Sequence, residues 1–330
     1  SGVGVADALM QPARTYLQIV GGFCILNALI PICSSYLRAF GFSKEPLYAS
    51  IIGNVINFCL NAFFLFVLHK GVAGVATATV ISRIINLVIV VLLGAVLVKA
   101  KQHPERESNR AVMGQIIRIG LPSACETAIY NVSMTLVIRF LNQMDAQGLN
   151  VTARSYTMQI TNFSYCVGAA LAQANAIMTG WHIGAKEYDA CDRGTKKAAV
   201  IGVIVAVILE TVFTLCSGWI MQLFSKDPQM VSLVGKLLAI DIVLEIGRVT
   251  NLVYGQALKT SGDAVFPVVM GACFMILCSV GGTYLFGIRL GLLAVGAYIG
   301  MTGDECVRAV GMYLRWKSGK WKQKGLVKSR

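Results

Sequence analysis

Three ionisable residues stand inside the otherwise apolar run AIDIVLEIGRVTN: Asp241, Glu245 and Arg248. Their spacing of i, i+4 and i+7 puts them on one face of a helix. Two carboxylates and a guanidinium on one stripe can carry a proton, hold a hard cation or grip a charged solute. In a bilayer, ionisable groups cost several kcal/mol unless they face a cavity or a partner, so each is a functional candidate by default. Counting about 1.5 Å per residue back from the polar break after Leu258 places Arg248 roughly 15 Å and Glu245 roughly 20 Å deep. A second run, GLPSACETAIYN, brings Glu126, Tyr130 and Asn131, with Glu126 about 10 Å in by the same count and Pro122 loosening the helix at its mouth. These depths predict a Glu126–Arg248 pair, with Glu245 left to bind a cation or a proton. The competing reading is that the acids and the arginine neutralise each other and only pin helices together.

Further polar positions extend the set. Glu210 lies mid-span and either lines a cavity or pairs with a lysine. Asn162 adds a polar point on another span. Arg83 and the group Asp304, Glu305 and Arg308 occupy matching places in two halves of the chain, which suggests a structural role. Ten cysteines fall mostly in apolar runs without metal-ligand spacing, and His69, His103 and His182 never come together. No metal site, cofactor or histidine-based catalytic centre is expected. With no HExxH or GxSxG motif either, an enzyme is not expected.

These residues are positioned by long apolar segments. The chain is 56% hydrophobic and only 14% charged, where a soluble domain carries about 25% charged residues. Runs of bilayer length are read at 16–37, 46–68, 72–98, 119–143, 152–179, 197–223, 231–257, 264–286 and 291–314, each long enough for a helix across a core of about 30 Å. The expected fold class is therefore all-α and polytopic. A net charge of +13 invites a nucleic-acid reading, but its placement argues otherwise. Lysines and arginines gather in alternate connections: Arg38 and Lys44; Lys99 to Arg118; Lys186 to Lys197; Lys259; and the tail from Arg315 to Arg330. The other connections hold only Arg14, Lys70, Arg154, Lys226 and Arg289. The richer side is cytoplasmic by the positive-inside rule, so the chain ends inside. The basic tail reads as an anchor near anionic lipid.

The chain also repeats itself. Leu37-Arg38 followed by Pro46 returns as Leu258-Lys259 followed by Pro267, an offset of 221, and GVAGVATATVIS from Gly71 aligns with GLLAVGAYIGMT from Gly291 at an offset of 220. A duplicated helical bundle in one orientation is a transporter signature. Three apolar segments lead into the second copy, so the repeat predicts nine of about twelve spans, with the first three absent.

Several stretches together resemble the multidrug and toxic compound extrusion (MATE) family: YLRAFGFSKEP, GVAGVATATVISR, IGLPSACETAIYN, GAALAQANAIMTGWHIGAKEYD, FSKDPQM, ALKTSGDAVFP and GLLAVGAYIGMTGDECVRA. The resemblance implies a MATE-like two-lobe helical bundle around a central cavity and cation-coupled export of drug-like compounds. Under it, 1–98 is the C-terminal half of the first lobe, 99–112 a cytoplasmic linker, 113–315 the whole second lobe and 316–330 the tail. The family's sodium-dependent branch carries acids where Tyr130 and Arg248 stand here, so its cation site does not carry over residue by residue. The aspartate that many members use for proton coupling would lie in the absent helices, which leaves Na⁺ and H⁺ both open.

The reading is thus an antiporter in the cell membrane, acting as a monomer without nucleic-acid partners. It exchanges a coupling cation for a small, drug-like, cationic molecule. Glu126, Tyr130, Asn131, Asp241, Glu245 and Arg248 would bind substrate and cation, with Glu210, Asn162 and Asp304 as secondary candidates. The alternatives are a flippase for lipid-linked sugars or cell-wall precursors, and a membrane receptor or inactive fragment.

Overall fold

The computed structural model describes residues 7–99, 109–144 and 148–323. Most of the expected linker 99–112 and the tail end 324–330 lie outside the described residues, with Lys101, His103, Arg106, Lys324, Lys328 and Arg330 among them. Every regular element among the described residues is helical. The chain forms two compact units, residues 1–106 and 107–330.

The first unit holds α1 (Asp7–Gly22), α2 (Ile25–Ala39), α3 (Lys44–Ala62) and α4 (Gly71–Lys99). The expected continuous span 16–37 is instead a bent pair, with α1 and α2 meeting at 42°. Gly21 and Gly22 sit at the bend, and glycine holds a helix weakly. The α3 helix ends in a wider π turn, Phe63–Val67.

The second unit runs α5 (Asn109–Met144), α6 (Leu149–Gly184), α7 (Tyr188–Leu215), the short α8 (Ser217–Met221), α9 (Pro228–Thr260), α10 (Val265–Phe274) and α11 (Leu293–Lys317). After α10 the chain continues through π-helical stretches Met275–Val280 and Thr283–Arg289. By length and apolar composition alone, four helical segments among the described residues can cross a membrane, or five if the bent pair counts as one. The helices α5, α6, α9 and α11 are as long but carry the polar residues discussed below, which dilutes their hydropathy.

At the centre of the second unit lies α9, packed against α6, α7 and α11. Small residues permit the approach. A Cβ added at Gly168 on α6 or Gly202 on α7 would lie 2.8 or 2.7 Å from the methyls of Val249, and one at Gly247 would lie 2.9 Å from the backbone of Cys306. Close backbone approach of this kind is how helices associate where lipid supplies no hydrophobic drive.

The duplication is visible atom by atom, and it corrects the register read from the sequence. Gly41 and Gly262 both cap a helix with φ near +90°, at 89° and 91°. Each cap is closed by the same pair of bonds: Gly41 N to Arg38 O and Phe42 N to Leu37 O, and Gly262 N to Lys259 O and Asp263 N to Leu258 O. That offset is 221, as expected. Further on it becomes 222 rather than 220. Leu68 N bonds to Phe63 O and Lys70 N to Phe64 O, matched by Leu290 N to Leu285 O and Leu292 N to Phe286 O. His69 and Gly71, at φ 50° and 52°, answer to Gly291 and Leu293, at φ 69° and 52°. One residue is inserted between the two landmarks, and the glycine-rich starts of α4 and α11 align at either offset by letter alone.

Candidate functional site

The candidate residues converge in the second unit. On α7, Glu210 faces Asp241 and Glu245 of α9, with one carboxylate oxygen from each residue lying within 4.8 Å of the others. All three side chains are buried. Both oxygens of Glu210, Oδ2 of Asp241 and Oε2 of Glu245 have no hydrogen-bond partner among the described residues. Ser164 of α6, also buried, lies beside Glu210. This is a set of hard oxygen donors, the ligand type that alkali and alkaline-earth cations take.

From this triad a chain of alternating charge runs to α11. Arg248 donates from Nη1 to Glu245 Oε1, and its Nε lies 3.7 Å from Glu305 Oε1. Arg308 Nη2 is 3.0 Å from the same Glu305 oxygen, and Arg308 grips Asp304 through two bonds of 2.8 and 2.9 Å. Asn251 Nδ2 donates to Glu305 Oε2 at 3.0 Å, and Ser279 Oγ to Asp304 Oδ2 at 2.9 Å. Two arginines thus serve five buried or half-buried carboxylates, and the deficit falls at Glu210 and Asp241. Uncompensated charge in a low-dielectric core is costly, so these carboxylates can take up a proton or a cation.

Two cavities open beside it. A 240 Å³ cavity is lined by Tyr130, Arg154, Asn162, Asp241, Arg248 and Asp304 among others. A 540 Å³ cavity is lined by Glu126, Tyr130, Asn131, Arg248, Lys259 and Arg308 among others. They share Tyr130, Tyr165, Arg248 and Glu305. The nine candidates therefore meet in one region, with Glu210 and Glu245 behind Asp241 rather than on the cavity wall.

Two expectations about pairing are corrected. Glu126 does not pair with Arg248; its Oε2 accepts from Lys259 Nζ at 2.6 Å. Arg248 is engaged one turn away on its own helix and across on α11, while the flexible lysine at the end of α9 reaches the level of Glu126. Nor is Glu245 left free, since one of its oxygens is held by Arg248. The group Asp304, Glu305 and Arg308, expected to be structural, borders both cavities.

The sequence reading passed over three contributors. Arg154 was placed in a connection between spans but lies inside α6, 6% exposed. Lys259 was taken only as a topological charge. Ser164 carries no signal beyond standing at an i+10 interval from Arg154. For Arg154 the available signal was its register: Arg154, Met158, Thr161 and Tyr165 follow at i, i+4, i+7 and i+11, which is one helix face.

Comparison with known proteins places this geometry in a family. The MatE family model matches residues 1–63 and 122–285. An uncharacterized transporter of Bacillus subtilis, YisQ, is 34% identical over 98% of this chain and 72% of its own length. A probable multidrug resistance protein, NorM of Thermotoga maritima, is 21% identical over 96% of this chain and 68% of its own. Among solved structures, an outward-facing multidrug resistance MATE family transporter superposes with a TM-score of 0.81 at 18% identity, covering 98% of this chain and 72% of that one. A MOP superfamily transporter from Pyrococcus furiosus gives 0.82, also at 18% identity, with 97% and 73% covered. The matched model, the long alignment to YisQ and the shared fold lead to one statement: this chain belongs to the MATE family of membrane transporters, and it is a transporter rather than an enzyme.

Proposed function

We propose that the chain is a cation-coupled antiporter that exports organic molecules bearing a cationic group, working by alternating access at the cell membrane. One observation carries the reading: three buried carboxylates, from Glu210, Asp241 and Glu245, offer four unpartnered oxygens to a site with too few arginines. In this reading the coupling ion, Na⁺ or H⁺, occupies the triad. Asp241 belongs both to the triad and to the wall of the 240 Å³ cavity, so ion and substrate compete for one carboxylate. Competition of that kind is sufficient for exchange, because each ligand shifts the population toward the facing state it binds better. The name of the relative NorM, a probable multidrug resistance protein, is consistent with drug-like cargo. Glu126, Tyr130 and Asn131 then form the wider chamber.

The test is efflux of a fluorescent organic cation from proteoliposomes under separate Na⁺ and pH gradients. Efflux driven by one gradient names the ion. Glu210→Gln should abolish gradient-driven efflux while leaving substrate binding within about threefold, because Glu210 does not touch the cavity. Unchanged coupling in Glu210→Gln would remove the triad from the mechanism.

A further inference from the structure

Five buried oxygens gather where α6, α7 and α9 meet: both from Glu210, Oδ2 of Asp241, Oε2 of Glu245 and Oγ of Ser164. None has a hydrogen-bond partner among the described residues. The Ser164 hydroxyl is fully buried and lies beside the Glu210 carboxylate, although nothing about charge balance calls for a serine there. Hydrogen bonding cannot satisfy such a group from within, because ionised carboxylates only accept and the serine brings a single proton. The surrounding cations are already committed. Arg248, whose field reaches Glu210 and Asp241, is divided between Glu245 Oε1 and Glu305. Arg308 is held by Asp304 and Glu305, and Lys259 by Glu126. Two arginines against five carboxylates leave three negative charges. A bound monovalent ion would still leave two of them, whereas a divalent ion would leave one, and charge counts heavily in a low-dielectric interior.

The donors and their support point the same way. Carboxylate and hydroxyl oxygens suit Ca²⁺ and Mn²⁺, which accept irregular cages, while Mg²⁺ gives up its waters reluctantly. One oxygen from each acid already lies within 4.8 Å of the others. The ligands stand on three helices locked together by Val249, whose methyls fill the space beside Gly168 of α6 and Gly202 of α7. A rigid cage with a high ligand charge is what raises affinity for a divalent ion. Asp241 connects the cage to the 240 Å³ cavity, which supplies an entry path. Because the ligands come from separate helices, no sequence spacing announces them.

We propose that Glu210, Asp241, Glu245 and Ser164 form a divalent-cation site, selective for Ca²⁺ or Mn²⁺, and that filling it blocks exchange. A divalent ion gripped by α6, α7 and α9 occupies Asp241, so neither the coupling ion nor a cationic substrate can take that carboxylate. The blocking effect rests on the antiport reading; the binding does not, and it is measured without gradient or substrate.

The probe is Mn²⁺, titrated into the chelator-treated full chain in detergent and followed by the paramagnetic resonance signal of the free ion. The unaltered protein should bind one Mn²⁺ at concentrations below about 1 mM. Ca²⁺ should displace it at a similar concentration, and a hundredfold excess of Na⁺ should not. Glu210→Gln should weaken binding about tenfold or more and Ser164→Ala less, because ligand charge sets the affinity. Glu187→Gln, at an exposed carboxylate between α6 and α7, should leave it unchanged. The proposal fails if the unaltered protein leaves the Mn²⁺ signal untouched, or if equimolar Na⁺ displaces the ion; neither result needs a variant to fold. It also fails if Glu210→Gln binds Mn²⁺ as well as the unaltered protein does. In the efflux assay, Ca²⁺ should slow exchange about tenfold, and efflux indifferent to a bound divalent ion would overturn the block. Mn²⁺ binding in a protein that shows no gradient-driven efflux would support the site and sink the antiport reading instead.

Discussion

The hairpin formed by α3 and α4 and the one formed by α10 and α11 are two copies of one frame, filled differently. Each begins after a glycine cap with the same bonds, passes through a π-helical turn and enters its second helix through two residues of positive φ. Each even has the same bridge between its helices: Asn57 Nδ2 to Ser82 Oγ at 3.1 Å in the first, and Ser279 Oγ to Asp304 Oδ2 at 2.9 Å in the second. Those pairs are related by the offset of 222 at both ends. What differs is charge. Where the second copy has Asp304, Glu305 and Arg308, the first has Ser82, Arg83 and Asn86. The backbone frame therefore forms with or without the ion network, which only one copy carries. The earlier alignment of Arg83 with position 303 gave way to Arg83 opposite Glu305, so a like role for the two charges does not follow from their register.

The largest expected effect comes from breaking the charged copy. Arg308→Met strands Asp304 and Glu305, and losing one partner of a buried ion pair costs about 3–5 kcal/mol. The equivalent Asn86→Leu replaces a half-buried amide whose Oδ1 has no partner among the described residues, so it should stay within about 0.5 kcal/mol of neutral. Thermal unfolding of the two variants in detergent measures the contrast. Equal losses would mean that the network is as much a part of the frame as the helices are.

Next in size are the close contacts common to both copies. A side chain at Gly74 would meet the Cβ atoms of Phe64 and Lys70, whereas one at Gly296 would meet the backbone of Phe286 and Gly287. Overpacking typically costs about 1–3 kcal/mol. Gly296→Val should sit at the upper end and Gly74→Val at the lower, because side chains yield and backbone does not. The reverse order, in the same unfolding assay, would show that the second copy is the looser one.

How much of this was legible in the sequence depends on the range of the interaction. The i, i+4, i+7 stripe of Asp241, Glu245 and Arg248 was readable because it is set within one helix. Its partners were not, since whether Arg248 meets Glu126 or Glu305 depends on how α9 is rotated between α6, α7 and α11. That rotation is fixed by Val249 packing on Gly168 and Gly202, contacts with no local signature. Apolar runs gave the helices, but not the bend at Gly21 and Gly22 or the ten residues of α5 before its apolar stretch. Near a predicted span end, Arg154 was counted among the charges of a connection, and only the fold turns it inward. The duplication was visible because its caps need particular residues. The second landmark was misaligned by two, because runs of glycine and alanine fit either register.

The smallest predicted effect is the strictest check on the comparison. Gly41 and Gly262 hold the same left-handed φ, and a Cβ at either would meet nothing within 4 Å. Replacement by alanine thus changes only the backbone term, which costs an L-residue about 1 kcal/mol in this region. Packing cannot distinguish the two sites, and both caps close on carbonyls three and five residues back, counted from the donating amide. Gly41→Ala and Gly262→Ala should therefore cost the same within about 0.3 kcal/mol. The neighbours differ sharply: Phe42 follows the first glycine, while Asp263 follows the second and holds Arg315 at 2.7 Å. If Gly262→Ala costs markedly more, the cap in the charged copy is being held in place by that ion pair, and frame and charge are coupled after all. Equal losses would leave the frame as a self-sufficient element that does not depend on the second copy's charges.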